Sequence, residues 1–215
     1  VTGERNSTDQ LIDKLSTNLS NVKPTSPTKL AAQWSVATVF LVGLAIYFGA
    51  GVRPDLQQIY GSAHFILIFI SLGALLFSGA FAAFSSALPG HPLHWSFVLL
   101  PTAFFALFVI ALMPPFLGAA HAGSASATGL QCTRTLGILA FLPALLIFGL
   151  LRKMASTQPG YTTYSAALAA LAVGALGLTL NCSSCDWPHL LLYHGLPILL
   201  IALLSQTLAR RLLKW

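Results

Sequence analysis

The sequence is poor in charge: Asp, Glu, Lys and Arg make up 7% of its 215 residues, against roughly a quarter in ordinary soluble domains. So few charges cannot keep a water-exposed surface dispersed. With hydrophobic residues at 56%, lipid is the expected solvent for most of the chain. Acids number only five, and three of them, Glu4, Asp9 and Asp13, fall in the first 33 positions. No Asp, Glu, Lys or Arg stands at mid-depth in a long apolar run, although proton relays, ion pumps and transporters of charged substrates need such groups. That absence argues against transport. Cysteines number three, one short of the two reactive pairs through which a quinone-linked thiol oxidoreductase passes electrons. An enzyme is therefore not expected, with a membrane thiol oxidoreductase as the rival reading and a metal transporter a more distant one. The net charge of +6 is not gathered into a basic stripe with interleaved aromatics, so direct nucleic-acid binding is not expected either.

What is present is length of apolar run. Six runs, at about 34–51, 62–86, 95–113, 135–151, 164–181 and 188–209, each approach or exceed the ~17–20 residues that cross a bilayer core. They predict an all-α polytopic membrane protein. A six-transmembrane-helix bundle over 34–209 follows an N-terminal arm, 1–33, and precedes a short tail, 210–215. Trp34, Tyr60, Trp95, Tyr161, Tyr164, Trp187 and Trp215 sit at or near the run boundaries, where an interfacial aromatic belt would place them. No short apolar core with a small-residue cleavage site precedes the first run, so that run is expected to be a permanent span. With the N-terminus inside, nine basic residues (Arg5, Lys14, Lys23, Lys29, Arg152, Lys153, Arg210, Arg211 and Lys214) lie in the cytoplasm, against two outside, Arg53 and Arg134. This bias puts both termini on the cytoplasmic side of the membrane. Gly73, Gly79, Ala82, Ala83, Gly174 and Gly177 supply small surfaces for close helix packing.

The thiols all fall on the outer side of that topology. Cys132 stands in the longest outer loop, and Cys182 and Cys185 form a C-x-x-C in the turn before the last run. Cys132 can reach either of the other two. Three cysteines cannot all pair within one chain, which leaves one free or available to a disulfide homodimer. A disulfide stapling two outer loops, a redox- or metal-responsive cluster and inert buried thiols are all compatible with this placement. His189 and His194 follow closely, with His121 in the long loop and His64 at the entry of the second run. Cysteine and histidine at short spacing suit zinc or copper. A transition-metal ion on Cys132, Cys182, Cys185, His189 and His194 is thus a candidate cofactor. The spacing matches no closed structural-zinc pattern, and positions 189 and 194 stand about 140° apart on an α-helix. Interfacial or simply packed histidines are the plain alternative. Asp186-Trp187-Pro188 reads as a cap and early-turn proline opening the last helix.

The arm carries its own signal. Leu11, Ile12, Leu15 and Leu19 recur at helical spacing, extended by Val22, while Asp9, Asp13, Lys14, Asn18 and Asn21 lie mostly on the other face. Thr8 or Asp9 can cap this helix, and Pro24 and Pro27 are expected to end it. Such a short helix is marginal alone in water and needs a surface to lie on. Mixed acids and lysines make it a poor polybasic anchor. Docking in a groove of a protein partner and lying on the membrane are its two readings.

Several segments are similar to known ones. Thr8-Asp9-Gln10-Leu11-Ile12-Asp13-Lys14-Leu15 with Val22-Lys23-Pro24, and Val52-Arg53-Pro54-Asp55-Leu56 after the first run, resemble the NrsF-like membrane anti-sigma factors. So do Asn181-Cys182 through Asp186, Pro188-His189, and Tyr193-His194-Gly195, together with Cys132 before the fourth run. The resemblance covers nearly the whole chain. It implies an inner-membrane anti-sigma factor that sequesters an extracytoplasmic-function sigma factor and releases it under periplasmic redox or heavy-metal stress. Cys132 and Cys182 would be the sensing pair, and Leu11, Ile12, Leu15 and Leu19 the sigma-binding residues. Cys185 departs from the family's two-cysteine pattern and leaves the partner of Cys132 open.

Overall fold

The computed structural model describes residues 8–17, 25–88, 95–113, 129–183 and 187–213. Among them every element is helical and there is no strand. In chain order these are α1 (Thr8–Ser16), α2 (Pro27–Ala50, its last turn Ile46–Ala50 wound as π-helix), α3 (Leu56–Ile59), α4 (Ala63–Ser86) and α5 (Trp95–Ala111). There follow α6 (Gly129–Leu151), α7 (Pro159–Asn181), α8 (Trp187–Thr207, with a π segment at Leu191–Gly195) and α9 (Ala209–Leu212). Five helices, α2, α4, α6, α7 and α8, have 21 to 24 residues and are apolar enough to cross a membrane. At 17 residues α5 is shorter.

Capping chemistry decides where several of these begin. The first apolar run starts at Trp34, but α2 starts two turns earlier. Ser26 Oγ accepts the Lys29 amide at 3.4 Å and Pro27 occupies the first helical position. Pro27, expected to close the arm, opens the first long helix instead. Ser62 Oγ caps α4 in the same way through the Phe65 amide at 3.2 Å. The helix α6 begins six residues before its apolar run, so Cys132 lies on a helix rather than in a loop. Backbone hydrogen bonding continues through the polar Gln131, Thr133 and Arg134 where hydropathy alone stops.

The bundle is built around α7, where 78% of the apolar window is buried, against 28 to 50% for the other four. Its central stretch, from Ala166 to Gly177, is two-thirds alanine and glycine, which lets neighbouring backbones approach closely. A Cβ at Gly79 of α4 would stand 3.0 Å from the Ser165 carbonyl, and one at Gly174 would stand 2.9 Å from the Leu136 carbonyl. The outer surface carries Phe40, Phe48, Leu130 and Phe141, each more than 60% exposed, a girdle that lipid tolerates and water would not.

Two prolines inside helices cross-link the bundle. Pro101 has no amide to offer the Phe97 carbonyl, which accepts the Tyr161 hydroxyl of α7 instead. Pro197 likewise leaves the Tyr193 carbonyl free for the Thr133 hydroxyl of α6, at 3.1 Å. At the end where α7 terminates, Asn181 Nδ2 donates to the carbonyls of Ala50 and Gly51 at 2.8 and 3.0 Å. Gly51, at φ 79°, makes the left-handed reversal after α2 that glycine accommodates without strain. At the opposite end, Ser86, Ser156 and Thr162 form a buried hydroxyl cluster, with Thr162 Oγ1 2.9 Å from Ser86 Oγ and 2.7 Å from Ser156 Oγ.

Candidate functional site

The helices α6, α7 and α8 converge where α7 ends. Cys132, in the first turn of α6, meets Cys182, the residue that closes α7, with their Sγ atoms 3.3 Å apart and both thiols reduced. His189, in the first turn of α8, brings Nε2 to 3.6 Å from Cys182 Sγ. The rings of His189 and His194 stand edge to face with centroids 5.5 Å apart. One ligand atom from each of Cys132, Cys182, His189 and His194 lies within 4.8 Å of the others. The four side chains are 9, 8, 1 and 4% exposed, so the cluster is closed to bulk water.

Local backbone geometry explains the convergence. On a regular α-helix His189 and His194 would point in different directions. The π segment Leu191–Gly195, closed by the Leu196 amide on the Leu191 carbonyl, inserts one residue into the turn and swings both imidazoles to the same side. Pro197 is the cause we assign, since it cannot continue the regular bonding through Tyr193. The Thr133 bond to the Tyr193 carbonyl then ties this register to α6, one position from Cys132. Gly129 lies against the Tyr193 ring, which a Cβ there would overlap, and His189 packs on the same ring at 5.2 Å between centroids.

Cys182 is held from outside the cluster. Its extended backbone (φ −81°, ψ 121°) leaves α7 after a 2.7 Å bond from its own amide to the Leu178 carbonyl. The next residue, Ser183, offers its carbonyl to the guanidinium of Arg53 at 3.3 Å, and the Arg53 amide bonds the Leu180 carbonyl at 2.9 Å. Arg53 in turn makes a bidentate pair with Asp55, both bonds 2.7 Å. Those hydrogen bonds hold the Asp55 carboxyl below its ordinary range. Spacing could not reveal this clamp, because 130 residues separate Arg53 from Ser183. The free carbonyl four residues before Pro197 was the readable signal for Thr133, though not for which hydroxyl would take it.

Two reduced thiols at 3.3 Å are in contact but unbonded, since a disulfide is about 2.05 Å long. The arrangement therefore admits closure to a disulfide or capture of a soft or borderline cation. Of the sequence-flagged residues, Cys185, His121 and Leu19 lie outside the described residues, and His64, at the start of α4, stands apart from the cluster. On α1, Leu11, Ile12 and Leu15 are each more than half exposed.

The family model NrsF, described as Negative regulator of sigma F, matches residues 15–215. No curated protein and no solved structure matches the chain.

Proposed function

The chain belongs to the NrsF family of negative regulators of a sigma factor, and on that premise we propose that it sequesters an extracytoplasmic-function sigma factor at the bacterial inner membrane. In this reading α5 is the sixth span, both termini are cytoplasmic, and the cysteine end faces the periplasm. The arm is the sigma-binding segment, reaching to Ser26, where α2 takes over. The helices behind it are the transmembrane domain, and residues 210–215 the cytoplasmic tail. Transcription is controlled through the sigma factor, without direct nucleic-acid contact.

The observation that carries the reading is the bare apolar face of α1. Leu11, Ile12 and Leu15 are 55, 57 and 63% exposed on a nine-residue helix, too short to persist alone in water. A groove on a partner protein supplies the missing surface, with Leu19, by its spacing in the sequence, as a further candidate contact.

Release begins at the other end. Oxidation or metallation of Cys132 and Cys182 under periplasmic redox or heavy-metal stress changes how α6 sits against α7 and α8, with Cys185 as a further thiol. The small-residue contacts along α7 leave little slack, so that change reaches the cytoplasmic ends of the helices. Sigma is released if it binds one bundle state more tightly than the other.

Co-purification in mild detergent with a co-expressed extracytoplasmic-function sigma factor tests this. The intact chain should retain sigma, and a variant carrying Leu11→Asp, Ile12→Asp and Leu15→Asp should lose it. Each apolar side chain removed from a groove costs about 1.5–3 kcal/mol, so the triple change weakens binding by roughly a thousandfold or more. Retention by the variant would move the contact off α1. No retention by the folded intact chain would sink the sigma reading for that partner.

A further inference from the structure

We propose that Cys132, Cys182, His189 and His194 form one four-coordinate site for a divalent d10 cation, Zn2+ or Cd2+, with the two histidines as ligands of equal standing to the thiols. The proposal deepens the sensor reading and rests on it for its purpose, but its chemistry stands on the geometry of the cluster.

Distance is the first argument. Bonds of about 2.3 Å to sulfur and 2.0–2.1 Å to nitrogen place the ligand atoms of a tetrahedral site roughly 3.3–3.8 Å apart. The Cys182–His189 contact at 3.6 Å has the sulfur–nitrogen spacing of such a site, the thiol pair at 3.3 Å must open by roughly 0.5 Å to reach the sulfur–sulfur spacing at the top of that interval, and the whole set lies within 4.8 Å. A linear two-thiolate site would instead hold its sulfurs about 4.6 Å apart, twice one bond length.

Burial is the second. All four side chains are about nine-tenths buried or more, and His194 Nε2 has no hydrogen-bond partner among the described residues. A buried nitrogen left without a partner is costly, and coordination of the His194 imidazole gives that side chain a role its packing does not.

Charge is the third. Two thiolates, two neutral imidazoles and one divalent cation sum to zero, the one total that a buried site holds without the penalty of a net charge. Copper(I) on the same ligands would leave one negative charge buried, as would a third thiolate around a divalent ion. On binding, the two cysteine S–H bonds break, two metal–sulfur and two metal–nitrogen bonds form, and two protons pass to solvent. No electron is transferred. The Thr133 bond to the Tyr193 carbonyl holds the π segment in the register that presents both imidazoles, the supporting role that outer partners play around bound metals.

The test uses the intact reduced chain in detergent, without sigma. Cd2+ is titrated while thiolate-to-cadmium absorbance, bound metal after dialysis and released protons are read, and Co2+ serves as a coloured reporter of geometry. The expected result is one ion and two protons per chain, with the Co2+ spectrum of a tetrahedral two-sulfur, two-nitrogen site. His189→Gln and His194→Gln should each weaken Cd2+ binding at least tenfold while both thiols still react with a thiol reagent. Cys132→Ser should abolish binding, and Cys185→Ser should leave it unchanged. Absence of binding by the folded chain overturns the proposal, as does undiminished affinity in both histidine variants or loss of the site in Cys185→Ser. If a histidine variant fails to fold, the Co2+ spectrum of the unaltered chain decides between two nitrogens and none. None of these readouts involves sigma, so a failure here leaves the co-purification result standing, and the reverse holds equally.

Discussion

Replacing Gly174 with alanine should weaken the bundle more than replacing Gly177, although the new methyl at 177 meets its nearest neighbour at shorter range. At Gly174 the added Cβ would stand 2.9 Å from the Leu136 carbonyl oxygen, 2.9 Å from Ala140 Cβ and 3.0 Å from the Ala140 amide nitrogen. Two of these are backbone atoms that cannot rotate aside. At Gly177 the neighbours are Val42 Cγ1 at 2.6 Å and Leu139 Cδ1 at 3.0 Å, side-chain methyls rather than backbone: Leu139 has other rotamers to adopt, and the stiffer Val42 must yield together with α2. Comfortable contact between heavy atoms lies near 3.5–4.0 Å, so α6 and α7 must part by roughly 0.5–1 Å at Gly174. Overpacking of this kind costs about 1–3 kcal/mol, and alanine recovers up to about 1 kcal/mol of helix propensity. The expected net loss is about 1–2 kcal/mol for Gly174→Ala, and within about 1 kcal/mol of zero for Gly177→Ala. Unfolding in mixed micelles by added denaturing detergent measures both. Gly174 lies on the face of α7 that α6 approaches, and Cys132 and Cys182 close the same helix pair at 3.3 Å. Wedging the helices should therefore also slow disulfide formation by a mild oxidant in Gly174→Ala, and leave it unchanged in Gly177→Ala. Equal or reversed stability losses would refute the reasoning, because they would mean that distance alone, and not the immobility of the neighbour, sets the cost.

Two further predictions concern polar contacts. Tyr161→Phe removes the donor to the Phe97 carbonyl and should cost about 0.6–1.7 kcal/mol, the range of interhelical hydrogen bonds in membranes. Adding Pro101→Ala should restore much of that loss by returning an amide to the same carbonyl, and failure of the double variant to recover would refute the proline account. Because hydrogen bonds from Arg53 lower the folded pKa of Asp55, the pair contributes stability above the unfolded carboxylate pKa of about 3.9. That contribution is lost as pH falls through the still lower folded value. Thermal unfolding should therefore show a loss of stability on acidification below about pH 4 that Asp55→Asn partly flattens, and identical pH profiles would exclude the clamp as its source.

The sequence alone determined the solvent and the class. So few charges and so many apolar residues leave lipid as the medium, and lipid admits helices because each helix satisfies its own backbone. It also placed the cysteines and two of the histidines at one end, since chain order through successive antiparallel helices puts the entry of α6, the end of α7 and the entry of α8 on the same rim. The apolar stripe on α1 and the small residues of α7 were likewise visible, being properties of neighbours in sequence. Tertiary structure decided what depends on distance across the chain. Cys132 and Cys182 are 50 residues apart, and their contact depends on the register in which α6 and α7 pack against each other, which no local pattern encodes. Helical spacing set His189 and His194 apart, and the π segment ahead of Pro197 brought them together. One residue inserted into a turn redirects every side chain beyond it, so periodicity fails where the backbone ceases to be periodic.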